Sequence, residues 1–323
     1  MITNNTLEIL GQKVIPGETK TIRLNIAKLH TMTEMDIPII ISRSIHEGAT
    51  VLLTAGLHGD ELTGIEIVRQ VVRRRIHLPQ TGTIICIPVI NIFGFVNQSR
   101  QFPDGRDLNR VFPGTPNGSL AGRFAFHLMN DIVPHVDYVV DFHAGGMSRF
   151  NASQIRIAPG NPELENLARA FQPPFILYSD NIDGSFRKSC DEIGVKYLLF
   201  EGGKSIDINH DIVEDGVAGI MRLLDNLNML NKDFSVDDIR TEPIFITESI
   251  WVRAPYSGLF HSQTKHGDYV TEGEVLATIS DPYGEVEEQV LAPNSGYIIN
   301  ENQAPIVFQG DAVYHISTRL KDE

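Results

Sequence analysis

His58 and Glu61 stand three residues apart in the stretch Ala49 to Gly64, ATVLLTAGLHGDELTG. The run Thr50 to Ala55 is apolar and reads as a buried strand, followed by a tight loop that opens a helix. An imidazole and a carboxylate on one short turn at the carboxyl end of a strand can hold a single metal ion. Two later apolar runs end in comparable residues: YVVDFHAGG carries His143 and KYLLFEGG carries Glu201. A catalytic zinc takes three protein ligands and keeps one position open, and His58, Glu61 and His143 supply two imidazoles and a carboxylate. His-x-x-Glu alone is a weak signal, since a lone loop histidine is more often packed or solvated than ligating. The metal reading gains from the placement of all three residues at the ends of apolar strands. The helical H-E-x-x-H arrangement is absent.

These strand ends need a scaffold, and the chain alternates as an α/β sheet protein should. TKTIRLNIAKL and DIPIIISRSI read as an opening antiparallel pair, followed by the ATVLLTAG strand and the helix DELTGIEIVRQVVRRRI. GTIICIPVIN is a further buried strand. The segment Ile92 to Ser119, rich in Gly, Pro, Asn and Arg, reads as a long irregular loop, and loops of that length in compact domains tend to be functional or disordered. Then come a helix from Ser119 to Val133, the strand DYVVDFH, and a helix NPELENLARAF with Asn161 as its cap. PFILYSD (strand), SFRKSCDEIG (helix), KYLLFEGG (strand) and the long helix DINHDIVEDGVAGIMRLLDNLNML complete this part. The sheet implied is largely parallel. At Lys232 to Glu242 the composition turns polar and helical patterning stops, so a domain boundary is expected near residue 242. Beyond it, short strands contain a quasi-repeat, APYSGLF at Ala254 and APNSGYI at Ala292, which suggests a small all-β unit with internal pseudo-symmetry.

Composition excludes several classes. The 323 residues carry a formal net charge of −14, which argues against a nucleic-acid partner. Apolar content of 42% is too low for a membrane protein, and no apolar run approaches the length of a spanning helix. The start of the chain has no secretory pattern. Cys86 and Cys190 give no disulfide framework, so a cytoplasmic location is the expectation. Oligomeric state is not readable, and a homo-oligomer stays open. GGKS at Gly202 to Ser205 lacks the first glycine of a phosphate loop, and no nucleophile elbow is present.

GLHGDE, GRDLNRVFPG, DFHAG and FEGG, in that order, resemble the succinylglutamate desuccinylase/aspartoacylase family, over residues 50 to 225 or so. The resemblance implies a zinc-dependent deacylase with a carboxypeptidase-like fold: a mixed, mostly parallel sheet flanked by helices, spanning residues 1–242. One Zn2+ per chain would be held by His58, Glu61 and His143. Glu201 would be the general base, taking a proton from water acidified by the ion and passing it to the leaving amine. Asn109 and Arg110 would grip a substrate carboxylate, for which an arginine fork is suited. Asp107 would orient a ligand histidine, His58, and Arg100 would polarise the scissile carbonyl. Asp141 is expected to play a structural or orienting part. The substrate would be a small N-acyl amino acid; the competing reading is a carboxypeptidase-like metallopeptidase acting on a peptide. Residues 243–323 resemble a biotinyl/lipoyl-like barrel-sandwich domain. The hairpin SDPYGEV has no lysine where a carrier domain needs one, so this unit is expected to wall the cleft, with Tyr256 or His261 in reach of it.

Overall fold

The computed structural model describes residues 6–28, 30–236 and 241–321. The first five residues and 237–240, inside the polar stretch expected to link two domains, lie outside the described residues.

Side chains alternate across the strand Thr50–Ala55. Val51, Leu53 and Ala55 enter an apolar cluster with the helices Leu62–Arg73, Pro162–Phe171 and His210–Asn226. Leu52 enters a second cluster on the other side, with the helices Leu120–His127 and Phe186–Glu192. The strand is apolar throughout because both its faces are covered. Its neighbours Thr83–Ile87 and Tyr138–Gly145 run parallel to it, and Lys196–Lys204 runs parallel to Tyr138–Gly145. The fold is a mixed α/β one. The opening pair Thr19–Lys28 and Glu34–Arg43 is antiparallel, as the sequence suggests, and joins the sheet through Thr83–Ile87.

Three features depart from the sequence reading. First, Arg149–Ile157 is a strand, inserted antiparallel beside Lys196–Lys204. Second, the segment Ile92 to Ser119 contains a helix, Ile92–Asn97, capped by Asn91, and a single 3-10 turn, Leu108–Arg110. Third, the helix expected from Ser119 to Val133 is α-helical only over Leu120–His127, then widens into a π turn over Leu128–Ile132.

The sheet also continues past residue 242. Ile244–Arg253 pairs in parallel with Phe175–Tyr178 and antiparallel with Ala312–Leu320. Gly296–Asn302 pairs with Ala312–Leu320 and, on its other edge, with Arg149–Ile157. Since Arg149–Ile157 also pairs with Phe175–Tyr178, these strands close into a ring. A separate sheet, Glu287–Leu291, Val275–Ser280, Gly258–Ser262 and Ile306–Val307, packs on the late strands through one shared apolar cluster that includes Phe260, Leu276, Ile298 and Tyr314.

Candidate functional site

Register and close packing assemble the site. Parallel pairing sets Thr54 opposite Asp141 and His143 opposite Glu201, so three strands deliver their ends to one place. The loop carrying His58 leaves the first strand through Gly56 at φ +63°, a left-handed conformation that glycine adopts without strain. The helix that begins after Glu61 lies hard against the Tyr138–Gly145 strand at Gly64. A methyl group there would come within 2.7 Å of the Phe142 carbonyl oxygen. This close approach lets Glu61 reach across: its Oε2 accepts the Ala144 N–H at 3.1 Å and faces His143 Nδ1 at 2.8 Å.

His58, Glu61 and His143 are 2%, 2% and 3% exposed, and one ligand atom from each lies within 4.8 Å of the others. Both imidazoles are tied down at Nε2: His58 to Asp107 Oδ1 at 3.1 Å, His143 to Asp141 Oδ2 at 2.8 Å. Asp141 is itself held by Thr54 Oγ1 at 2.7 Å and by the Tyr197 hydroxyl. Carboxylates only accept, so each Nε2 donates and each Nδ1 is left to face Glu61. His58 Nδ1 stands 2.7 Å from Glu61 Oε1. Lone pairs would then confront lone pairs in a buried nest, unless a cation sits among them. A further proton on a ring would do this, and Arg100 Nη1 already stands 3.3 Å from His58 Nδ1. Burial pulls both histidines down, but Glu61 and Asp107 around His58, and Asp141 and Glu61 around His143, hold both pKa values above the ordinary one. Burial likewise works to raise Glu61, yet the two imidazoles keep its carboxyl well below the usual range. A divalent metal at the Nδ1 atoms satisfies the same demand. The donor set of two imidazoles and a carboxylate suits zinc, with the Asp107 and Asp141 contacts fixing ring orientation.

Around this nest lies a cavity of about 310 Å³, whose walls include His58, Glu61, His143, Glu201, Arg100, Asn109 and Arg110. Asp107, expected to orient His58, makes that contact while its Oδ1 also caps the Leu108–Arg110 turn through the Asn109 N–H at 2.9 Å. Arg100 binds Asp107 Oδ2 at 2.9 and 3.2 Å and reaches within 3.4 Å of Glu61 Oε1. Asn109 Oδ1 accepts the Phe186 N–H at 2.9 Å, leaving its Nδ2 as the donor available to a ligand. Arg110 is exposed at the rim. Burial raises the pKa of Glu201, against the pull of Arg156 and His143.

Several cavity residues carry no sequence signature. Arg187, on the Phe186–Glu192 helix, donates to Ser179 Oγ at 3.0 Å and to the Asp180 carbonyl at 2.6 Å. Arg149, Asn151 and Arg156 come from the strand that was not foreseen. Trp251 and Asn300 come from beyond residue 242, whereas Tyr256 and His261, the residues suggested for that part, are not among the lining residues. Their strand-and-turn composition gave no reason to choose between them. Among the described residues no helix is long and apolar enough to cross a membrane.

Known proteins share this fold and, in part, this sequence. The profile described as the succinylglutamate desuccinylase/aspartoacylase catalytic domain matches residues 47–227. An N-alpha-acetyl-L-2,4-diaminobutyric acid deacetylase from Halomonas elongata is 30% identical over 261 residues, covering 76% of this chain and 74% of that protein. The crystal structure of a succinylglutamate desuccinylase/aspartoacylase from Rhodobacter sphaeroides superposes with a TM-score of 0.77 at 25% identity, over 93% of this chain and 94% of that one. The product-bound ectoine utilization protein EutE from Ruegeria pomeroyi has the same fold, with a TM-score of 0.80 at 22% identity over 94% and 98% of the two chains. With the family's domain profile spanning more than half its length, this chain belongs to the succinylglutamate desuccinylase/aspartoacylase family.

Proposed function

We propose that the protein is a zinc-dependent amidohydrolase that removes the acyl group from a small N-acyl amino acid. The observation that carries this reading is the buried nest of His58, Glu61 and His143, opening beside Glu201 into an arginine-walled cavity. These three side chains would hold one ion, which when bound supplies Lewis acidity to a water and to the acyl carbonyl.

The protein's own groups account for the rest. Glu201 Oε2 is engaged by Asn151 at 2.8 Å, which leaves Oε1 to accept a proton from water as the new carbon–oxygen bond forms. As the carbon–nitrogen bond breaks, Glu201 returns that proton to the amine nitrogen. Its raised pKa, caused first by burial, favours both halves of this transfer. Arg100, beside the nest, would donate to the acyl oxygen as negative charge gathers there. Asn109 Nδ2 and Arg110 would take the carboxylate of the amino-acid part.

A cavity of about 310 Å³ suits a small acylated amino acid better than a peptide, which favours the deacylase over the carboxypeptidase-like alternative. The catalytic part would be carboxypeptidase-like, in keeping with parallel central strands covered on both faces. In the same reading, the strands after residue 242 form a β unit without a carrier lysine that closes one wall through Trp251 and Asn300. The homologous deacetylase points to acetylated diamino acids as the first substrates to try. The test is metal analysis of the purified chain, combined with a hydrolysis panel of N-acyl amino acids and peptides. Stoichiometric zinc and turnover of the acyl amino acids are expected. A metal-free active enzyme, or cleavage of peptides alone, refutes the assignment.

A further inference from the structure

Glu201 is anchored from the far end of the chain. Its Oε2 accepts from Asn151 Nδ2 at 2.8 Å, and Asn151 Oδ1 in turn accepts from Asn300 Nδ2 at 2.7 Å. Asn151 and Asn300 are register partners where Gly296–Asn302 pairs with Arg149–Ile157, the pairing that closes the ring of strands. They are 4% and 2% exposed, and both line the cavity.

Charge sets the direction of this chain of hydrogen bonds. An ionised carboxylate can only accept, so Asn151 must turn its Nδ2 toward Glu201. Its Oδ1 then faces Asn300, which must donate. The Asn300 Oδ1 is left without a partner among the described residues. An orphaned buried acceptor is unfavourable, so this amide is oriented by the relay rather than by its own surroundings.

We propose that Asn151 and Asn300 form a positioning relay that fixes the Glu201 carboxylate, so that a strand from the C-terminal part is built into the catalytic apparatus. The proposal rests on the deacylase reading, in which Glu201 moves the proton. A glutamate has three rotatable side-chain bonds, and a misplacement of about 1 Å in a reacting group can cost about a hundredfold in rate. A donor fixed on one oxygen removes that freedom and leaves the other oxygen pointing into the cavity.

The test uses the full-length, zinc-loaded protein and the best substrate from the N-acyl amino acid panel. Asn300→Leu should lower kcat about tenfold and Asn151→Leu about thirtyfold, the second losing a bond to a charged group. KM and zinc content should stay near wild type, with a modest fall in melting temperature because each change leaves a buried acceptor unpaired. The double variant should be no slower than Asn151→Leu, because both residues act through one contact. Asn300→Asp, nearly isosteric and therefore the safeguard against misfolding, should be slower than Asn300→Leu: a carboxylate there draws Asn151 Nδ2 to itself and turns Oδ1 onto Glu201. Independently of turnover, the carbon-13 carboxyl resonance of Glu201, assigned by its loss in Glu201→Gln, should move in Asn300→Asp. Unchanged kcat in a folded Asn300 variant, losses that multiply in the double variant, or an effect confined to KM overturns the relay. If the wild type hydrolyses no acyl amino acid, the deacylase reading has failed. The resonance then decides the relay by itself, a shift supporting it and no shift ending it.

Discussion

Loading and withdrawing zinc across a range of pH probes the nest directly, because in the proposed reading metal and protons would claim the same atoms. In the metal-free chain both Nε2–H groups are committed to Asp107 and Asp141, so any further proton goes to an Nδ1 beside Glu61. Burial opposes that proton on both rings, but the surrounding carboxylates prevail and raise both pKa values. A zinc ion at the two Nδ1 atoms would have to displace any proton held there, two of them below both raised values. Each displaced proton weakens the apparent Kd tenfold for every unit by which pH falls below the raised values. Two protons therefore give about a hundredfold per unit, or about 2.7 kcal/mol. Chelator competition should show that slope below the raised histidine values and flatten above them. Calorimetry in two buffers of different ionisation heat should count close to two protons released below both raised values, and fewer above them. Stability should move the opposite way in the metal-free protein. A raised folded-state histidine pKa contributes stability that is fully present below about pH 6.5, the unfolded value, and is lost as pH rises through the folded value. Melting temperature of the metal-free chain should thus fall as pH is raised above that point, while the zinc-dependent gain in melting temperature grows. A pH-independent Kd, or release of no protons, would mean that the Nδ1 atoms are not the ligand atoms.

Glu201→Gln should retain zinc while kcat drops about 10²–10⁴-fold, the usual contribution of a general acid–base group; full activity refutes the role given to Glu201. In the wild type, the acidic limb of kcat/KM should lie above the ordinary carboxylate range, because burial raises this group. Gly59→Ala should loosen zinc binding, read by chelator competition: the new methyl would stand 1.9 Å from the Gly94 carbonyl carbon, so the loop bearing His58 and Glu61 must shift. Unchanged affinity would show that the loop yields without moving its ligands. Arg110→Ala should raise KM about tenfold for substrates with a free carboxylate and leave neutral analogues unaffected, and equal losses on both would count against a carboxylate clamp.

The half of the site that could be read from sequence is the half whose positions follow from burial. Thr50–Ala55, Tyr138–Gly145 and Lys196–Lys204 are apolar on both faces, so their ends mark the edge of the sheet, where a His or Glu has nowhere to go but into a shared cleft. Asp141 meets His143 from two residues earlier on the same strand, while Asp107, singled out only by the family resemblance, meets His58 from a loop turn. The other half is hidden for a physical reason. Arg149–Ile157 is almost wholly buried, yet its sequence RFNASQIRI shows neither an apolar run nor clean alternation. Asn151, Ser153 and Gln154 are buried there as polar groups, and Asn151 points its hydrogen bonds at Glu201 and Asn300 rather than at water. A strand that spends its side chains on a polar cavity loses the hydrophobic pattern by which strands are recognised.

The same reasoning explains why the contribution of the late strands could not be placed. The bond between Asn300 and Asn151 joins residues 149 positions apart, and neither belongs to a motif. A local break in composition near residue 242 is a sound sign that one packing pattern gives way to another. It carries no information about whether the backbone on its far side hydrogen-bonds to the sheet already formed. Here it does, because Phe175–Tyr178 offers an unfilled edge to Ile244–Arg253, and Arg149–Ile157 offers one to Gly296–Asn302. An exposed strand edge is a row of unpaired donors and acceptors that needs covering. In this chain the segments that cover those edges also complete the cavity wall, so protecting the sheet and shaping the site are one structural event.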